Sequence, residues 1–159
     1  YNIGDTIKFT SLEPFRIIVT GRIKHFLSAF GEHVISEEVE KAMEAATKLH
    51  NVAIREFTVA PNINPKEMLP HHEWYVEFES LPKDMLAFSK ALDKEMTRLN
   101  IYYKDLIDGK ILKSLEVISV IRGGFNQYMK SEGRLGGQNK VPRLSNDRKI
   151  ADKLKTIST

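Results

Sequence analysis

"HEWYVEFES", residues 72–80, changes chemistry at every step. Trp74, Val76 and Phe78 are large and apolar, and Tyr75, Glu77 and Glu79 stand between and after them. Period two is the period of a β-strand, so the spacing predicts a strand whose Trp74–Val76–Phe78 row faces a core. Just upstream, "PHHEW" (70–74) brings His71, His72 and Glu73 together. Neighbouring side chains on a strand point to opposite faces, so these three read as a polar strand entrance rather than a metal cluster.

Working outward, "VAIREFTVAP" (52–61) reads as a second strand, preceded by "SEEVEKAMEAATKLHN" (36–51) as a helix. Ser36 is its expected N-cap, with Glu37 and Glu38 in the positive first turn. Val39, Met43, Ala46 and Leu49 share one face at helical spacing, and Glu37–Lys41 and Glu44–Lys48 pair outside. Downstream, Lys83 to about Asn100 forms a helix with Met85, Phe88, Leu92, Met96 and Leu99 on one stripe. "IYYKDLIDGK" (101–110) continues as a short helix ended by Gly109, with Tyr102 and Tyr103 as packing residues. "LEVISVIRG" (115–123) is apolar on both faces apart from Glu116 and Ser119, as a covered strand would be. "FNQYMKSEG" (125–133) reads as a helix stopped by Gly133, and "SNDRKIADKLKT" (145–156) as one capped by Ser145. At the start, "DTIKFTS" (5–11) and "FRIIVTG" (15–21) are two strands joined at Glu13-Pro14. The order predicts an α+β fold, with helices on one face of a small, largely antiparallel sheet.

The chain of 159 residues suffices for one domain with a real core, and 42% apolar with 28% charged residues is a globular composition. There is no cysteine, which excludes disulfides and thiolate metal sites. No apolar run approaches the roughly 18 residues that span a bilayer, and no signal-peptide pattern opens the chain. A cytoplasmic protein with no membrane partner is expected. The chain starts at Tyr1 rather than Met, within what reads as a motif, so an excised piece is expected. The net charge is +3, yet the basicity is local: between 133 and 149, Arg134, Lys140, Arg143, Arg148 and Lys149 face only Asp147. A single basic loop suits a small anionic ligand better than a nucleic acid.

Two motifs carry chemistry. In "YNIGD" (1–5), Asp5 follows a glycine and opens a strand, where a carboxylate can accept hydrogen bonds from two adjacent hydroxyls such as those of a ribose. Gly-Asp turns are common, so alone this is weak. In "VTGRIKHFLSAFGEHVISEEVE" (19–40), Gly21-Arg22-x-Lys24 is followed by Gly31 and an acidic helix start, which by itself reads as a strand, a basic turn and a hairpin glycine.

Together the motifs resemble the adenylate-forming enzymes. More closely, "GRIKHFLSAFGEHVISEEVEKAM" (21–43) and "LGGQNKVPRLSNDRK" (135–149) resemble the acyl-acid amido synthetases, the auxin-responsive promoter (Gretchen Hagen) family in its bacterial form. The resemblance runs from Tyr1 to about Lys149. It implies a ligase that uses ATP and Mg2+ to adenylate a carboxylic acid, releasing pyrophosphate. An amine, commonly an amino acid, then attacks to give an amide and AMP. A large N-terminal domain would bind most of the ATP and Mg2+. This chain would be the mobile C-terminal lid, with residues 1–21 as the terminal strands of that N-terminal domain and 22–159 as the lid.

By the same resemblance, Asp5 holds the ribose hydroxyls and Arg22 lies beside ribose and phosphate. Lys24 is the hinge. His25, Phe30, Gly31 and Glu32 line the segment brought to the active site in one lid position. Lys140 is the catalytic lysine that reaches the α-phosphate and carboxylate. Two departures stand out: most relatives end in Pro-x-x-x-x-Gly-Lys where here the glycines precede "QNKVPR", and position 25 is His where many carry an acid. Without the large domain, the 133–144 loop is expected to be mobile or to settle in an incidental position. The competing reading is a ferredoxin-like RNA-binding or regulatory module. It is disfavoured because Glu77 and Glu79, opposite the Trp74 row, would repel phosphates.

Overall fold

The computed structural model describes residues 5–22, 26–134 and 140–158. The chain is α+β, with strands β1 (Asp5–Leu12), β2 (Phe15–Arg22), β3 (Phe26–Leu27), β4 (Val34–Ile35), β5 (Ile54–Asn62), β6 (His71–Phe78) and β7 (Glu116–Ser119). Helices are α1 (Ser36–His50), α2 (Met85–Leu99), α3 (Ile101–Asp108), α4 (Gly124–Ser131) and α5 (Lys149–Ser158). Every strand pair is antiparallel except β6–β7, whose connection through α2 and α3 is long enough for a parallel crossover.

The three-stranded sheet runs β5-β6-β7, and its middle strand is buried at every position. Trp74, Val76 and Phe78 pack into a core with Val39 and Met43 of α1 and Phe88, Leu92 and Met96 of α2, the Trp74 ring stacking on Phe57 at 5.8 Å. Tyr75 points the other way, into a second core with Phe125 and Tyr128 of α4 and Ile150 and Leu154 of α5. Helices therefore cover both faces, not one as the sequence suggested. The reason is Glu77: it is buried, and its two carboxylate oxygens accept from the Gly123 and Phe125 amides. A carboxylate that satisfies the free N–H groups at the start of α4 can sit inside without exposing its face of the sheet. With both faces covered, no open aromatic platform for RNA remains on this sheet.

Smaller departures have local causes. Helix α1 begins at Ser36 itself, and the Ile35 amide donates to Glu38 Oε2 at 3.0 Å. Leu49 is 73% exposed because α1 turns its last residues past the core. Asp84 caps α2 by accepting from the Ala87 amide, and Asn100 both ends α2 and caps α3 through the Tyr103 amide. Before α5, Asp147 rather than Ser145 accepts from the Lys149 amide. Tyr103 is fully buried, whereas Tyr102 is 58% exposed. The β1–β2 hairpin turns at a cis Glu13-Pro14 bond and leaves Ile7, Phe9, Leu12, Phe15, Ile17 and Val19 exposed.

Candidate functional site

Lys140 opens the segment 140–148, which is built onto the edge of β5. The Val59 amide donates to the Arg143 carbonyl at 2.9 Å, and the Ser145 amide donates to the Val59 carbonyl at 3.0 Å. Leu144 thus bridges Val59 in parallel, extending the sheet by one short step. Thr58 Oγ1 donates to the Pro142 carbonyl at 2.7 Å, and Val141 and Leu144 are buried. The Arg143 guanidinium lies 4.5 Å over the Phe57 ring, donates to the Phe57 carbonyl at 3.0 Å, and pairs with Glu56 and Glu40. A planar cation that stacks and forks can make all of these bonds at once. Of the 133–144 loop, residues 142–144 thus have a bonded position on β5, and residues 135–139 lie outside the described part.

The downstream end is held by a second arginine. Arg148 donates to Glu73 at 2.7 Å and to the Pro61 carbonyl at 2.9 Å, and pairs with Asp152 at 3.1 Å. Glu73 also accepts from the Tyr75 hydroxyl and Asn62. Burial raises the Glu73 carboxyl, but the bonds from Arg148 and Tyr75 outweigh it and hold the group below its ordinary value. Lys140 itself is exposed, at the edge of a cleft of about 230 Å3 lined by Arg55, Glu56, Phe125 and Met129 among others. Among the described residues its ammonium makes no ion pair.

The other expected segment is the hairpin β3–β4. Gly31 has φ of 92° and His33 φ of 47°, so the turn passes twice through the left-handed region, once at a residue that resists it. What fixes the turn is Glu32, which is fully buried. Its Oε2 accepts from the Phe30 amide at 2.8 Å, and its Oε1 lies 2.9 Å from His72 Nε2. The Glu32 carbonyl accepts from Asn100 Nδ2, which also reaches Glu38. The His72 ring lies against Tyr103, with ring centroids 5.1 Å apart. Burial raises the Glu32 carboxyl, but His72 and the backbone amides bring it below its ordinary value.

Asn146 joins the two segments. Its Nδ2 donates to the Phe26 carbonyl at 2.6 Å, and its Oδ1 accepts from the Ser28 amide at 2.9 Å. One carboxamide thus completes the free edge of β3 as a neighbouring strand would.

Each expected site residue has a definite place or lies outside the description. Asp5 and Arg22 are directly opposite in the register of the β1–β2 hairpin. Lys24 and His25 are not among the described residues. Phe30 is half-buried against the core. The Glu32 side chain turns into the domain rather than outward, so its carboxylate anchors the segment. The sequence reading missed Asn146, Arg143, Asn100 and the pairings of His72 with Glu32 and of Glu73 with Arg148. Only the polar trio in "PHHEW" offered a signal, since a strand this apolar rarely keeps such residues without partners.

Among known proteins, the profile of the GH3 family C-terminal domain matches residues 37–149. Of the curated proteins, none matches. Among solved structures, "GH3.15 acyl acid amido synthetase" superposes with a TM-score of 0.77 at 19% identity, covering 99% of this chain and 31% of its own. "AtGH3.15 acyl acid amido synthetase in complex with 2,4-DB" does so with a TM-score of 0.73 at 21% identity, covering 99% and 30%. This chain therefore spans under a third of the structures whose fold it shares, and by the profile match over most of its length it belongs to the GH3 family, as a GH3 C-terminal domain.

Proposed function

We propose that this chain is the C-terminal lid of a cytoplasmic, ATP-dependent acyl-acid amido synthetase. The enzyme adenylates a carboxylic acid and transfers the acyl group to an amine of the amino-acid class, forming an amide, AMP and pyrophosphate. What supports this reading, beyond the family, is Lys140: an exposed cation without an ion-pair partner among the described residues, on a segment whose Pro142, Arg143 and Ser145 are hydrogen-bonded to β5.

Adenylation drives a carboxylate towards a polyphosphate, so anion meets anion until a cation stands between them. The Lys140 ammonium is compact and carried on a flexible stem, so it can follow the charge onto the α-phosphate oxygens. The carboxylate oxygen attacks the α-phosphorus and the bond to pyrophosphate breaks. In the second step the amine attacks the acyl carbon and AMP leaves. The lid rotates between these steps about a hinge at Lys24, withdrawing Lys140 and presenting the segment from His25 to Glu32. Asp5 and Arg22, paired across the hairpin, would meet the ribose and phosphate. Mg2+, when bound, neutralises charge on the phosphates. Its ligands, like most of the ATP site, are expected from the larger part of the synthetase, as the resemblance implies.

In the full-length synthetase, Lys140→Ala is expected to cripple ATP–pyrophosphate exchange while largely sparing aminolysis of a supplied acyl-adenylate. Equal loss of both steps would count against the role. The chain by itself is expected to turn over no ATP; AMP formed by the pure domain would overturn that.

A further inference from the structure

Two stretches of the lid are offered to the active site in the proposed cycle, and they lie more than a hundred residues apart in sequence. One begins at β3; the other begins at Lys140. Each is separately anchored, the first through Glu32 and His72, the second through Arg143 and Leu144. Those anchors lie on the paired strands β6 and β5, and Leu27 and Leu144 share one core, so the sheet sets the coarse spacing of the two stretches while their facing edges still need a direct link. Among the described residues, the direct hydrogen bonds between them are those of the Asn146 carboxamide, with Nδ2 on the Phe26 carbonyl and Oδ1 on the Ser28 amide.

The geometry is specific to a carboxamide. It needs one donor and one acceptor, side by side, matched to a C=O and an N–H two residues apart on an extended chain. Aspartate has the same shape but would place an oxygen against the Phe26 carbonyl. Beyond these two bonds the side chain is exposed, so burial gives it no stabilising role of its own. Ser28 continues the contact along the hairpin, its Oγ lying 3.1 Å from Nδ1 of His33 in the Gly31–His33 turn.

We propose that Asn146 is a positioning residue, a brace that makes the 26–33 hairpin and the 140–148 segment turn as one body. This rests on the lid reading above. When the lid rotates, a rigid spacing ensures that Lys140 leaves by the same motion that brings the hairpin in. A loosened spacing lets each stretch arrive displaced, and displacements near 1 Å suffice to slow chemistry by one to two orders of magnitude.

The test uses the full-length synthetase with Asn146→Asp and Asn146→Ala, each alone and combined with Lys140→Ala. Both single variants should lower kcat about ten-fold for pyrophosphate exchange and for aminolysis of supplied acyl-adenylate, with KM for ATP within about two-fold. Their thermal midpoints should stay within a few degrees of the parent. On the Lys140→Ala background the Asn146 substitutions should add little further loss of exchange, because the group being positioned is gone. A fully additive loss, a change confined to KM, or unaltered kcat in both partial reactions would overturn the brace. If Lys140→Ala itself leaves exchange intact, the lysine's role is what fails, and the aminolysis rate of the Asn146 variants still decides whether the hairpin is braced.

Discussion

His72 Nε2 lies 2.9 Å from Glu32 Oε1, and neither side chain reaches solvent. The pair ties the β3–β4 turn to the middle strand of the sheet across forty residues of sequence. Removing one partner strands the other in a place where water cannot compensate it. His72→Leu is therefore expected to destabilise the domain by about 3 kcal/mol. The double variant Glu32→Gln with His72→Leu should recover part of that loss, because no buried charge is left without a partner. Urea unfolding of the four proteins measures this, and a double variant no more stable than the sum of the two single losses would show that the pair is not a unit.

These two residues also show where the sequence stopped being legible. The Trp74–Val76–Phe78 row, the helix stripes and the strand order follow from periodicity, which records which side of an element is dry. Periodicity is silent on partners. Glu77 reads as an open charge, Glu32 as facing an active site, and His72 and Glu73 as a polar strand entrance, yet each is buried against a partner supplied by a distant segment. For the same reason the second helical layer was missed: Glu77 made one face of β6 look wet. Of the site, the positions of Lys140 and the Gly31 turn were visible as motif residues. Asn146 and Arg143 were not, because a side chain that completes a sheet edge leaves no periodic trace.

Acid should unfold the domain in a defined window. Burial raises the carboxyls of Glu32 and Glu73, but the hydrogen bonds that Glu32 makes with His72 and backbone amides, and Glu73 with Arg148 and Tyr75, more than reverse this, leaving both below the ordinary 4.5. Stability from such groups is fully present above the unfolded value and is lost as pH falls towards the folded one. His71 is pushed below its ordinary 6.5, first by burial, so it too disfavours acid, beginning at higher pH. The unfolding free energy should thus decline gently from about pH 6.5 and steeply below about pH 4.5. Glu32→Gln should flatten the lower part of the curve. A parent and variant with parallel curves below pH 4.5 would remove Glu32 from the account.

In the full-length protein, Lys24→Pro should fix the backbone at the proposed hinge, since proline locks φ. Each partial reaction assayed alone need not fall, but overall turnover should drop at least ten-fold when both steps must alternate. Normal turnover by this variant would place the hinge elsewhere.

Gly124 begins α4 with no room for a side chain. A Cβ there would lie 2.5 Å from Cγ1 of Val120, a short side chain held in the second core. Gly124→Ala should cost about 1–3 kcal/mol through this overpacking, despite the gain in helix propensity. Pairing it with Val120→Ala should return most of the stability, as read by thermal unfolding. If the paired substitution is the worse of the two, the clash is not the cause.

Arg143 should hold the Lys140 segment locally rather than support the whole domain. Its guanidinium stacks on Phe57, bonds the Phe57 carbonyl and pairs with Glu56 and Glu40, all on the surface flank of β5 and α1. Arg143→Ala removes the stack and the pairs but leaves the backbone bonds of the Val59–Leu144 bridge in place. Hydrogen exchange separates the two scales of opening. The Ser145 amide, bonded to the Val59 carbonyl, should lose about ten-fold in protection, whereas the Val120 amide, bonded to the Val76 carbonyl inside the sheet, should keep its own. Equal acceleration at both amides would mean that the substitution lowers global stability and that the segment has no separate anchor. Preserved protection at both would mean that the backbone bridge alone holds Lys140 to the domain.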